Sequence, residues 1–293
     1  MTTVLITGAG SGLNNGAALE LAERGYDVIA CVEIFPQLRA LEIQARERGV
    51  KLRIEKIDVT KEGDRRRAMS WDVDVLVNGA GIIEGGAIVD IPAENMRRQF
   101  EVNVIGPVLL TQGIAKKMIA RRRGKIIFVS SVVGILSGPF VGIYGASKHA
   151  LEGIAETMGM ELQEFGVQVA VINPGPYLTG FNDAGFLVPK DWDDDRSKRV
   201  FDYDKLAFPF EQFEPSAAFT SIVDVITGKS SLFRNVVTPE LAEGVREQSL
   251  QVWTRKTTEG LGTRAALVQR AYDMKPETLA GSSQPEGSHS STR

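Results

Sequence analysis

Apolar, often β-branched runs of five to seven residues recur through the first 172 positions: 3–7 (TVLIT), 27–32 (DVIACV), 51–57 (KLRIEKI), 73–77 (VDVLV), 125–130 (KIIFVS) and 167–172 (VQVAVI). Between them, helical spacing of apolar residues marks 13–24, 37–48, a short stretch near 61–70, then 93–122 and 144–165. Strands that alternate with helices predict right-handed crossovers and a parallel sheet. The strands are apolar almost throughout instead of at every second position, so helices are expected on both faces. Beyond Pro174 the regular alternation stops. Residues 216–227 predict a helix, 232–237 (LFRNVV) a seventh strand, and 241–274 a partly helical segment. The pattern predicts one α/β domain over 1–274, a doubly wound parallel sheet of about seven strands. The polar, turn-rich stretch 275–293 is expected to be a disordered tail.

Composition narrows the function classes. Hydrophobic residues make up 43% and charged residues 24%, an ordinary globular balance. The net charge is −3, which gives no global attraction to nucleic acid or to an anionic membrane. The triplets at Arg65–Arg67 and Arg121–Arg123 are short and not interleaved with aromatics, so they read as solvated faces. One cysteine, Cys31, and two histidines leave no internal disulfide and no soft-metal site to expect. No apolar run approaches the ~20 residues that span a bilayer. The first strand follows the N-terminus without a basic-then-apolar leader. A cytoplasmic protein is expected.

Two local patterns carry chemistry. TGAGSGLNNG (7–16) follows the first strand and opens the first helix. Glycines there permit a sharp turn and close approach of a pyrophosphate to main-chain N–H groups, at the positive end of a helix dipole. The second pattern is IYGASKHALEG (143–153), with Tyr144 and Lys148 four residues apart on one helical face. Alone, such a pair is an exposed amphipathic couple. It stands in one chain with the glycine loop, with Ser131 at the end of the fifth strand and with Asn103 on the long helix.

This set resembles the short-chain dehydrogenase/reductase family, with Gly8 and Gly12 matching its TGxxxGxG loop, Tyr144 and Lys148 its YxxxK, and Ser131, thirteen residues upstream, its catalytic serine. Asn103 in VNVIGP matches the fourth catalytic residue. The likeness covers about 3–179. It implies a Rossmann-like fold and a dinucleotide cofactor, NAD or NADP. It implies cofactor contacts from Gly8, Ser11, Gly12, Leu13, Asp58, Val59, Asn78, Ala80, Gly81, Pro174, Gly175 and Thr179, and from Tyr144 and Lys148. It also implies homodimers or homotetramers built on the two long helices. Two positions depart from the pattern. Asn14 stands where the loop has its third glycine, and Gly79 stands where the NNAG turn has a second asparagine. Asn14 is expected to weaken dinucleotide binding without abolishing it.

The implied reaction interconverts a secondary alcohol and a ketone. Tyr144 exchanges the proton, Ser131 holds the substrate oxygen, and Asn103 holds a water that resupplies protons. An unperturbed phenol titrates near about 10, so Lys148 is expected to lower it. Glu33 at the end of the second strand, with no basic residue beside it, predicts a preference for NAD. His149 is expected to be structural. The resemblance implies a substrate lid over about 180–215, and residues 181–213 within it hold eight of the chain's 21 aromatics. These predict an apolar or aromatic carbonyl or alcohol gripped by Val133, Phe140, Tyr177, Phe181 and Phe186, with Ser131 and Tyr144 at the reacting end. The charges of 191–199 are expected to face water, and the lid to be mobile. Two alternatives stand beside this reading: a dinucleotide-sensing protein without turnover, and a sugar epimerase or dehydratase.

Overall fold

The computed structural model describes residues 2–274. The predicted tail at 275–293 lies outside the described residues. Seven parallel strands form one sheet in the order β3-β2-β1-β4-β5-β6-β7. They are β1 Thr3–Thr7, β2 Asp27–Val32, β3 Arg53–Lys56, β4 Val75–Asn78, β5 Gly124–Val129, β6 Val167–Asn173 and β7 Arg234–Val236. The helices are α1 Gly12–Glu23, α2 Phe35–Glu47, α3 Glu62–Met69, α4 Ala93–Phe100, α5 Gly106–Ala120, α6 Gly142–Leu162, α7 Phe181–Leu187, α8 Ser216–Thr227, α9 Pro239–Gln251 and α10 Ala266–Asp273. The order reverses direction between β1 and β4, and the carboxyl ends of those strands border the crevice where open α/β sheets bind ligands.

Alternate residues of each strand serve two separate cores. Val4 and Ile6 face α1, α2 and α8 through Leu21, Leu41 and Ile222. Leu5 and Cys31 face the other side, with Ala68 of α3, Leu110, Ile114 and Met118 of α5 and Leu151 of α6. Cys31 is fully buried there, and burial pushes its thiol well above the ordinary range. A third cluster joins the segment after β6 to the body, with Phe186, Trp192, Tyr203 and Phe208 packed on Ile83, Ile91 and Phe140. No helix among the described residues is long and apolar enough to cross a membrane, and no metal-binding group of three or more His, Cys, Asp or Glu occurs among them.

The predicted helix 93–122 is interrupted. Residues Glu101–Ile105 form a π-helical turn between α4 and α5. Apolar spacing does not report a change from i→i−4 to i→i−5 bonding over a single turn. Such bulges recur at functional sites.

Candidate active site

A cavity of about 890 Å³ runs from the β1–α1 loop, past the carboxyl ends of β4 and β5, to the start of α7. At one end the glycine loop and the turn after β4 are held together. Gly8 has φ 70°, and a Cβ there would lie 2.7 Å from the Ala80 backbone. Only glycine meets both conditions. The Thr7 hydroxyl accepts N–H bonds from Gly79 at 3.0 Å and Ala80 at 3.1 Å. The Asn14 side chain donates to the Gly79 carbonyl at 2.8 Å. Gly10 is covered by Gln37, whose amide oxygen also accepts the Glu33 N–H at 3.0 Å. Gln37 opens the predicted second helix, but its spacing gives no sign that it reaches back across the loop.

At the other end, Ser131, Tyr144 and Lys148 line one wall. The α6 helix carries Tyr144, Lys148 and Glu152 at four-residue steps, so all three point inward and are at least nine-tenths buried. Ser131 caps the short turn Val132–Gly134, where its hydroxyl accepts the Val133 N–H at 3.3 Å and donates to Pro174 O at 3.4 Å. Lys148 Nζ donates to Val129 O at 2.7 Å and lies 5.6 Å from the centre of the Tyr144 ring. Behind them, Asn173 donates to Ser131 O at 3.0 Å and to the Glu152 carboxylate at 2.6 Å. Arg234 lies 3.0 Å from the other Glu152 oxygen, an ion pair without hydrogen-bond alignment.

The electrostatics reverse one expectation. Burial pushes the Tyr144 phenol up to about 12, against a lowering hydrogen bond from Ser131. Burial brings Lys148 down to about 8, partly offset by the Glu152 carboxylate. Burial thus shifts both groups towards neutrality, but only the phenol is neutral at pH 7, while Lys148 keeps its charge below about 8. The lysine does not outweigh the desolvation of the phenol, because its own ammonium is equally removed from water.

The structure distributes the predicted residues unevenly. Gly8, Ser11, Gly12, Leu13, Glu33, Asp58, Val59, Ala80, Gly81, Pro174, Gly175 and Thr179 all line the cavity. Asn78 does not, and it donates instead to Thr111 at 2.8 Å inside the fold. Asn103 sits fully buried in the π-helical turn. Its amide accepts the Ile82 N–H at 2.8 Å and donates to Ile82 O at 3.0 Å and to Ser147 at 3.2 Å. Both amide protons are thus spent on protein partners, and neither is left for the water that the sequence reading placed there. Of the expected substrate walls, Tyr177 and Phe181 line the cavity, and Phe181 meets the Tyr144 ring edge-on at 5.8 Å. Val133, Phe140 and Phe186 pack into the third cluster and do not line the cavity. Phe140 holds a left-handed backbone at φ 64°, with its carbonyl accepting the Gly86 N–H at 2.7 Å.

Most aromatics of the lid pack on one another: Trp192 on Tyr203 at 5.1 Å, Phe186 on Phe208 at 5.8 Å, and Phe140 on Phe201 at 5.1 Å. They anchor the segment. Arg199 does not face water with its neighbours, because its side chain is 7% exposed, stacks over Trp192 and Tyr203, and bonds Asp194. His149 is exposed and bonds the Gly145 carbonyl of its own helix at 2.9 Å. Sequence reasoning also passed over Arg97 and Arg98 of α4, which line the cavity rim.

Comparison with known proteins gives a consistent picture. The family model for short chain dehydrogenase matches residues 2–186. An uncharacterized oxidoreductase of Bacillus subtilis (strain 168) is 40% identical over 183 residues, covering 60% of this chain and 65% of that protein. Retinol dehydrogenase 8 of Homo sapiens is 34% identical over 186 residues, covering 61% of this chain and 60% of its own. The match thus spans less than two thirds of these relatives' length. Among solved structures, a short chain dehydrogenase/reductase from Burkholderia phymatum in complex with NAD superposes with a TM-score of 0.73 at 25% identity, covering 89% of this chain and 97% of its own.

Proposed function

From the chain's membership of the short-chain dehydrogenase family, we propose that it is an NAD(P)-dependent oxidoreductase interconverting a secondary alcohol and a ketone. The observation that carries this reading is the convergence of Ser131, Tyr144 and Lys148 on one wall of a cavity whose far end is the glycine loop. That end fits a dinucleotide, because its backbone cradle leaves no room for a Cβ at Gly8. Gly8, Gly12, Asp58 and Thr179 line that end and would hold the cofactor, which would supply or accept the hydride. The Ser131 hydroxyl orients the substrate oxygen towards Tyr144. In reduction the phenol gives its proton to that oxygen, and in oxidation the phenolate takes one. Lys148 carries charge beside the phenol and passes protons onward.

NAD is the preferred cofactor, since Glu33 at the cavity rim repels a 2′-phosphate. The substrate is apolar or aromatic. Tyr177 and Phe181 form its apolar wall, and a relative 34% identical over 186 residues is named a retinol dehydrogenase. Homodimers or homotetramers in the cytoplasm complete the reading, with Ile105 and Met160 exposed beside and on the two long helices. A spectrophotometric panel of aryl and alkyl ketones and secondary alcohols with NADH or NADPH tests it. Turnover with apolar ketones, abolished in Tyr144→Phe, is expected. Dinucleotide binding with no turnover across the panel identifies a sensor instead, and preference for charged keto acids overturns the substrate class.

A further inference from the structure

The two departures from the family's motifs meet in space. Asn14 lies in the first turn of α1 and Gly79 in the turn after β4, 65 residues apart in sequence. The Asn14 amide donates to the Gly79 carbonyl at 2.8 Å. A Cβ at position 79 would lie 2.5 Å from Asn14 Nδ2, 2.6 Å from its Cγ and 2.7 Å from its Oδ1. The Asn14 side chain therefore fills the space that any side chain at 79 requires. Real Cβ atoms do not approach so closely, and the Asn14 amide is not a free flexible end, because its own hydrogen bond fixes it.

We propose that Asn14 and Gly79 are a matched positioning pair for the dinucleotide site. The glycine that permits close contact between helix and β4 turn has moved from the helix to the turn, and the asparagine has moved from the turn to the helix. The pair does two things at once. It keeps α1 close to the β4 turn, so the N–H groups of the glycine loop stay aimed at the cavity. It also adds a clamp on the 79 carbonyl, beside the two N–H bonds that Thr7 accepts from Gly79 and Ala80. Both residues line the cavity, so a shift of either changes the shape presented to the cofactor. Neither residue is replaceable alone, and the two are replaceable together. This rests on the proposed dinucleotide binding, not on turnover.

A double-mutant cycle tests the pairing. NADH and NADPH affinities are measured from cofactor fluorescence for wild type, Asn14→Gly, Gly79→Asn and the double variant, with melting temperature recorded without dinucleotide. Gly79→Asn is expected to lose about tenfold or more in affinity, equivalent to ~1.4 kcal/mol. The double variant is expected to return to within about threefold of wild type, a coupling of the size contacting residues show. A purely structural contact would lower the melting temperature and leave the affinity of the folded protein unchanged. Should Gly79→Asn not fold, Gly79→Ala alone and with Asn14→Gly give the same comparison. Wild-type affinity in Gly79→Asn, or a double variant no better than the single, overturns the pairing. Dinucleotide affinities that follow this cycle in a protein without turnover leave the pair standing and overturn the oxidoreductase reading alone.

Discussion

At the scale of single residues, one hydroxyl does more than its place in a strand suggests. Thr7 closes β1 as a fully buried side chain that serves two N–H groups of the facing turn and itself reaches Val77 O at 3.4 Å. Thr7→Val keeps the shape and removes the acceptor, leaving two donors without a partner. A loss of ~1–3 kcal/mol is expected for stranding such groups, together with weaker dinucleotide binding. Urea denaturation and a binding titration check it, and a change below about 0.5 kcal/mol, the range of a neutral surface substitution, contradicts it. That Tyr144, Lys148 and Ser131 meet in one cavity was legible in the sequence, because they keep fixed spacings along the chain. The partners that hold them were not. Asn173 reaches Ser131 across 42 residues and Glu152 across 21, separations that no local spacing records.

At the scale of elements, α6 is a ladder of inward groups with one polar residue per turn. Its titration gives a pH profile. In the proposed reaction, reduction uses the protonated phenol, and burial keeps Tyr144 protonated well beyond neutrality. Lys148 sits at about 8, so its charge is present below that pH and lost above it. The rate of ketone reduction is expected to be level below pH about 8 and to fall above, while oxidation, which needs phenolate, rises with pH. Glu152→Gln removes the carboxylate that holds Lys148 up. The falling limb should then move to lower pH, because less acid is needed to keep the ammonium charged when Glu152 is present. Profiles of kcat/KM for both proteins decide this, and coincident limbs contradict it.

The elements themselves were largely legible. Strands buried on both faces announce themselves as unbroken apolar runs, as β1 and β2 do. The π-helical turn at Glu101–Ile105 was not, since apolar residues flank it on both sides and only backbone bonding changes. Yet that turn presents Asn103 to both the loop after β4 and α6.

At the scale of the whole molecule, the lid is built as a third core. Its composition was visible in the sequence, but whether its aromatics face a ligand or one another depends on contacts with Ile83, Ile91 and Phe140 that lie far away along the chain. Replacing Phe186 and Trp192 together by Ala removes two large buried side chains, each worth ~3–5 kcal/mol in a well-packed core. The damage is expected to stay local. Hydrogen exchange should accelerate across 181–213 while amides of β1, β4 and β5 keep their protection, and unchanged exchange in the lid contradicts the anchoring role. Tyr144 belongs to this same cluster, so the phenol owes part of its burial to the lid. The third core shares no buried residue with the two that flank the sheet. The packing of segment 181–213 and that of the sheet can therefore diverge in descent as separate inheritances. The unit that travels is discontinuous: 83–91, 140–144, 181–213 and 266–273 must be exchanged as a set. A chimera that takes 181–213 alone sets foreign aromatics against the resident Ile83, Phe140 and Ala271.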